Sequence, residues 1–151
     1  MQSIRSLVTR LEADFPALHF VSGNDFHWSH EAATITYLFD GPPAELIHEL
    51  AHATLEHTQY QRDVELLARE RDAWTVTKNE LGPRYNINIL DEDIQRALDT
   101  YRDWLHARST CPECKATGIE VHKHTYRCPA CRSEWRVNEA RVCALRRHIL
   151  K

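Results

Sequence analysis

Leu46-Ile47-His48-Glu49-Leu50-Ala51-His52 is the stretch on which the reading of this chain turns. Residues four apart share one face of a helix, so a helix here sets the imidazoles of His48 and His52 side by side. Two histidines need that geometry to hold one zinc ion. Glu49, one step round the helix, then reaches a water on the open side of the metal. The plain alternative is a helix with two solvated histidines, because the residue types of H-E-x-x-H meet by accident in many proteins.

Outward from this helix the chain alternates short strands and longer helices. Asp40-Gly41-Pro42-Pro43 interrupts extended structure, and proline suits a first helical turn, so the helix is expected over about 43–58. Before it, Phe26-His27-Trp28 and Ala33–Phe39 read as a β-hairpin, and Leu18-His19-Phe20-Val21 as a strand. Ile4, Leu7, Val8 and Leu11 follow the helical period and predict a helix over 2–13, ended by Pro16. After it, a second helix is expected over about 60–81, stopping at Gly82-Pro83. Tyr85–Ile89 reads as a brief extended segment. Asp91 then caps a third helix with the stripe Ile94, Leu98, Tyr101 and Leu105. The fold class expected is α+β.

A catalytic zinc takes three protein ligands and keeps a fourth position for water. His57 lies nine residues past His48, on the opposite side of a continuous helix, and is expected at the surface. Glu56 shares the face but sits too far along the axis. Glu70 fits better. Leu66, Leu67, Ala73 and Trp74 flank it one turn away on either side, so its carboxylate leaves the middle of an apolar stripe and needs a cation. A zinc held by the two histidines would supply that charge; a buried arginine is the alternative. Glu65, set among Gln61, Arg62, Ala68 and Arg69, is expected to be solvated.

His48-Glu49-Leu50-Ala51-His52 followed by Glu70-Arg71-Asp72-Ala73-Trp74 resembles the ImmA/IrrE-like metallopeptidases, over roughly residues 15–80. Those proteins carry H-E-L-x-H on one helix and an E-x-x-A-x-x-F-A-like segment on the next. Here Ala73-Trp74 is followed by Thr75-Val76 instead of a later aromatic-alanine pair. The resemblance implies a small zincin-like body and zinc-dependent peptide hydrolysis, with repressor-like or regulatory proteins as substrates. The residues support the same chemistry. Zinc on His48, His52 and Glu70 would bring the pKa of a water toward about 7, and Glu49 would take its proton. A second oxyanion donor is expected among Tyr60, Tyr85 and Tyr101, and the strand Ala33–Phe39 is expected to receive substrate as an added strand.

Cys111-Pro112-Glu113-Cys114 and Cys128-Pro129-Ala130-Cys131 form two knuckles thirteen residues apart. This spacing predicts a zinc ribbon: four thiolates, a tetrahedral structural zinc, and no open position. The segment between them suits two short strands, with His122 and His124 as exposed strand residues. Tyr126 and Trp135 are expected to pack over the ribbon, stacking on bases being their other use. Asn138 is expected to cap a final helix, Glu139–Leu150, with the stripe Val142, Leu145 and Ile149, and with Cys143 as a partly buried thiol. The domains expected are residues 1–108, a ribbon over 109–136 and a basic C-terminal helix over 137–151.

Residues 1–100 carry 8 Lys/Arg against 17 Asp/Glu, a net −9, whereas residues 101–151 carry 11 against 5, a net +6. An acidic body with a basic end suggests separate tasks, with a nucleic-acid or acidic-protein contact as one use of the basic end. No apolar run is long enough for a membrane span, and cysteines used as ligands suit a reducing compartment, so the cytoplasm is expected. Two other readings remain at this level. An H-E-x-x-H body followed by a ribbon is reminiscent of the SprT/Spartan-like proteases, which act on DNA-attached proteins and use a third histidine downstream. The other is a nucleic-acid-binding or regulatory ribbon with an inert body.

Overall fold

A computed structural model describes residues 2–139 and 144–150, and these form an α+β protein with two small sheets. By internal contacts the chain divides into two compact units. One is Met1–Gln59 with Arg69–Ile94; the other is Tyr60–Ala68 with Gln95–Lys151. Among the described residues no helix is long and apolar enough to cross a membrane.

In the first unit Ser3 caps α1 (Ile4–Asp14), its hydroxyl accepting the Ser6 N–H at 3.2 Å, and Ile4, Leu7, Val8 and Leu11 bury one face. The first sheet has the order β1-β3-β2, from β1 (His19–Ser22), β2 (His27–Ser29) and β3 (Thr34–Tyr37). β1 runs parallel to β3, and β2 pairs with it as the expected hairpin, with Trp28 opposite Ile35. Because β3 is central, both of its edges are already paired. The expectation that it accepts a further strand is therefore overturned, and the free edges belong to β1 and β2.

Helix α2 (Pro43–Thr54) opens on proline, as expected, and buries Leu46, Ile47, Leu50, Ala51 and Ala53 together with His48 and His52. A Cβ on Gly41 would come within 2.5 Å of the Phe26 ring, so the turn into α2 requires glycine. The helix ends before residue 58. Leu55 donates its N–H to Ala51, and Glu56 takes φ 55, which turns the chain back on itself. Beyond it, α3 (Asp63–Val76) passes into a π turn (Thr77–Leu81) and α4 (Gly82–Arg84). The expected stop at Gly82-Pro83 does not occur. Gly82 stays right-handed at φ −55 and bonds Thr77 O in the wider register, and the helix continues through Pro83. Glycine is needed here for close approach, since a Cβ would lie 2.8 Å from Ile87 O. Asn86, at φ 57, leads the chain out of the helix.

Helix α5 (Asp91–Ser109), which belongs to the second unit from Gln95 on, precedes four antiparallel strands in sequential order: β4 (Ile119–His122), β5 (Thr125–Arg127), β6 (Glu134–Val137) and β7 (Arg147–Leu150). Tyr126 and Trp135 stack with ring centroids 5.7 Å apart, and with Cys111, Cys128 and Val137 they make the core of that unit. Packing, and not base stacking, thus occupies these two rings. The expected final helix is replaced, over Arg147–Leu150, by β7. The Asn138 side chain accepts the Arg146 N–H at 2.8 Å and donates to Ala144 O at 2.9 Å, closing a return loop where a helix cap was expected. The open edge of β6 offers the segment a complete ladder, which outweighs its helical periodicity. Val142 and Cys143 lie outside the described residues.

Candidate metal centre

In the first unit α2 and the later part of α3 bring His48, His52 and Glu70 together. His48 Nε2 lies 2.9 Å from Glu70 Oε2, His52 Nε2 lies 3.0 Å from Glu70 Oε1, and the two Nε2 atoms are 3.1 Å apart. All three side chains are buried. Among the described residues the Glu70 carboxylate therefore pairs with two imidazoles and with no guanidinium. The His48 ring lies flat on Trp74, with centroids 4.0 Å apart and planes 21° from parallel.

Burial and mutual attraction work against each other inside this cluster. Burial drives His48 below its usual pKa, against the pull of Glu70. Burial also opposes charge on His52, but the Glu70 hydrogen bond and charge prevail and raise it. Burial likewise acts against ionised Glu70, yet the two histidines outweigh it and hold the carboxyl at about 2. If both Nε2 atoms carried protons toward Glu70, their N–H groups would oppose each other across 3.1 Å. One divalent ion removes that conflict. Tetrahedral ligands at zinc distances stand about 3.3 Å from one another, close to the 2.9–3.1 Å found here. The N,N,O donor set and its spacing fit such an ion.

Glu49 has a carboxylate oxygen within 4.8 Å of the histidine ligand atoms and is not part of the Glu70 bridge. Burial raises its pKa to about 7, although His52 and the Trp28 backbone N–H, which donates to it, work in the other direction. That amide belongs to β2, a free edge of the first sheet. Of the tyrosines, Tyr85 is committed elsewhere, its hydroxyl donating to Asp14 at 2.6 Å; Tyr60 and Tyr101 belong to the second unit.

His57 corrects the sequence reading. It was expected on the far side of a continuing helix, but α2 stops at Thr54 and the turn at Glu56 carries His57 back. Its Nδ1 stands 2.8 Å from Nδ1 of His52, the ring nitrogen that does not face Glu70. Burial lowers its pKa to about 4, helped by His52 and Arg69, so it is neutral at pH 7. Trp28 was also missed. A polar run from Glu56 to Arg62 without apolar period is the one sequence signal that hinted at the early helix end.

In the second unit the four expected cysteines converge. Sγ of Cys111 and Cys131 are 3.7 Å apart, and those of Cys114 and Cys128 are 3.5 Å apart. Disulfides are ruled out at these separations, whereas a tetrahedral tetrathiolate zinc has edges of about 3.8 Å. The two knuckles share one backbone pattern. Lys115 N–H bonds Cys111 O, Arg132 N–H bonds Cys128 O, and both Lys115 and Arg132 are left-handed. Burial resists ionisation of Cys111, but the Cys114 and Glu113 amides hold its thiol below the usual value. The Cys131 amide draws Cys128 down to about 7 against burial. The Ser133 amide favours thiolate at Cys131, yet burial and three neighbouring thiols push it up to about 12. Four sulfurs cannot all ionise here without a cation, so the cluster is compatible with a zinc ribbon.

A third group of potential ligands, Asp63, Glu120 and His124, is already neutralised. Arg108 Nε and the Tyr126 hydroxyl donate to Asp63 Oδ2 at 2.8 and 2.5 Å, and Glu120 accepts the Asp63 N–H at 2.6 Å, capping α3. An Arg108 nitrogen also lies 3.0 Å from His124 Nδ1, which makes His124 a member of this buried network and not the exposed strand residue expected. No family profile, curated protein or solved structure matches the chain.

Proposed function

We propose that this protein is a zinc-dependent peptidase of the kind that its H-E-x-x-H and Glu70 segments resemble, the ImmA/IrrE-like metallopeptidases. One observation carries the reading. Two imidazole Nε2 atoms and one carboxylate converge within 2.9–3.1 Å, and a second carboxylate, Glu49, is free of the bridge. His48, His52 and Glu70 hold the metal. When bound, zinc supplies a Lewis acid and a water of lowered pKa. Glu49 then acts as the proton carrier, accepting a proton as the peptide carbonyl is attacked and delivering it to the departing amine. A carboxyl tuned near neutrality suits both halves of that task, and the Trp28 amide favours its ionised form.

The substrate class is a protein or peptide, with a transcriptional regulator as the kind that the resemblance implies. A peptide added as a strand must use β1 or β2, and β2 is the edge whose Trp28 amide reaches Glu49. The four cysteines hold a structural zinc, and the basic residues around the ribbon give it a nucleic-acid or acidic-protein contact. Thiolate ligands of this kind suit the cytoplasm. A third ligand from Glu70 argues against the Spartan-like alternative, because His57 meets His52 at the nitrogen turned away from the metal.

The test is Glu49→Gln in the full chain. It is expected to bind two zinc ions, as wild type does, while hydrolysis of captured protein substrates falls by about 10²–10⁴-fold. Equal activity in both forms removes Glu49 from the mechanism. A single zinc, held by the cysteines alone, favours the inert-body reading.

A further inference from the structure

We propose that His57 is a positioning residue for the metal centre: its Nδ1 accepts the Nδ1–H of His52 and so selects the tautomer that leaves His52 Nε2 bare toward the metal. The inference rests on the reading of His48, His52 and Glu70 as metal ligands.

The ring nitrogens of His52 have divided roles. Nε2 faces Glu70 at 3.0 Å and His48 at 3.1 Å, whereas Nδ1 faces His57 Nδ1, at 2.8 Å. Two bare nitrogens repel at that distance, so one of them carries the proton. With the proton on His52, the lone pair at Nε2 is free and the ring is more basic toward a metal. With the proton on His57, His52 would have to keep its own on Nε2, where the metal binds. A metal-ligating histidine commonly donates its second N–H to a fixed acceptor, which sets both tautomer and ring angle. Here a histidine supplies that acceptor.

The placement of His57 is built. Its own N–H donates to His52 O at 3.0 Å, and its carbonyl accepts the Trp28 indole N–H at 3.0 Å. The next residue, Thr58, accepts from the Arg69 guanidinium through its carbonyl. Trp28 also donates its backbone N–H to Glu49, and Arg69 immediately precedes Glu70. Trp28, which holds the His57 carbonyl, thus also reaches the base. The left-handed Glu56 gives the chain the reversal this requires.

The experiment uses the full chain with Zn²⁺ as probe, titrated against a chromophoric chelator, in wild type, His57→Ala and His57→Asn. Asparagine places an amide oxygen near the Nδ1 position and can still accept. Wild type is expected to bind two equivalents. His57→Ala should weaken only the histidine-held one, by about 10–100-fold, and His57→Asn should recover most of that loss. Affinity in His57→Ala within twofold of wild type overturns the positioning role, as does an Asn variant as weak as the Ala variant. Binding of one zinc by wild type, unaffected by Glu70→Ala, instead overturns the metal centre itself. A second measurement needs no variant: long-range ¹H–¹⁵N correlation on zinc-loaded wild type should find His52 protonated at Nδ1. Protonation at Nε2, or metal at Nδ1, overturns the proposal.

Discussion

Glu49 and Glu70 lie on α2 and α3 and both approach the paired histidines, and their surroundings push them in opposite directions. Glu70 is held at about 2 by two histidines, whereas Glu49 is raised to about 7 chiefly by burial. The signs give a pH test on metal-free protein. Glu70 contributes stability above the ordinary carboxyl value of 4.5, lost as the pH falls toward 2. Glu49 contributes below 4.5 and loses its contribution as the pH rises toward 7. Relative to Glu49→Gln, metal-free wild type should lose about 3 kcal/mol between pH 4.5 and 7.5, read from denaturant midpoints. Parallel pH profiles would show that burial does not hold the Glu49 proton. Zinc, as a nearby cation, should lower the Glu49 value and flatten the difference. Glu70→Ala should leave the cysteine-held zinc in place and weaken the histidine-held one by at least tenfold; unchanged affinity would place the third ligand elsewhere.

At the scale of elements, helix ends and strand edges carry the unexpected features. Helix α2 stops without glycine or proline because its last turn is stitched into the site. Glu56 accepts a left-handed conformation, and His57 and Thr58 gain partners from Trp28 and Arg69. In the second unit α3 begins at Asp63, which is fully buried and neutralised by Arg108 at 2.8 Å. Arg108→Ala would strand that carboxylate and should destabilise the second unit by about 3–5 kcal/mol. Asp63→Asn with Arg108→Met should cost less than the single change, since no unpaired charge then remains. Thermal melts of the single and double variants decide it, and equal losses would mean that the pair acts through packing alone. Sequence pattern was silent on this pair, because Asp63 and Arg108 are 45 residues apart and each looks like an ordinary helix-surface residue.

For the whole molecule, metal content is the quantity to measure. Two zinc ions per chain are expected by native mass spectrometry, with different resistance to chelation. The core of Cys111, Tyr126, Cys128, Trp135 and Val137 is small, so its folding is expected to depend on a metal held by the four cysteines. Cys111→Ser should open the region after Ser109 to protease while leaving the first unit, residues 1–59 and 69–94, resistant. Cleavage equal to wild type would show that the ribbon folds without its zinc. Charge follows the same division of labour, with net −9 over residues 1–100 and net +6 over 101–151. Loss of the contact proposed for the basic end should therefore be sought with ribbon variants, in which the histidine cluster is intact.

The sequence alone determined what depends on short spacing. His48 and His52 share a helix face because they are four residues apart, and the knuckles gather their own cysteines because each pair is separated by only two residues. It also marked Glu70, since apolar neighbours on both adjoining turns leave a carboxylate nowhere to go but inward. Tertiary structure decided where that carboxylate arrives, 22 residues downstream of His48, and which nitrogen of His52 it meets. It decided too that α2 ends early enough for His57 to return, and that Arg147–Leu150 completes a sheet instead of continuing a helix. Periodicity records only which side of an element is apolar. Where an element stops, and what its polar groups meet, follows from competition between local backbone bonds and partners supplied by distant segments.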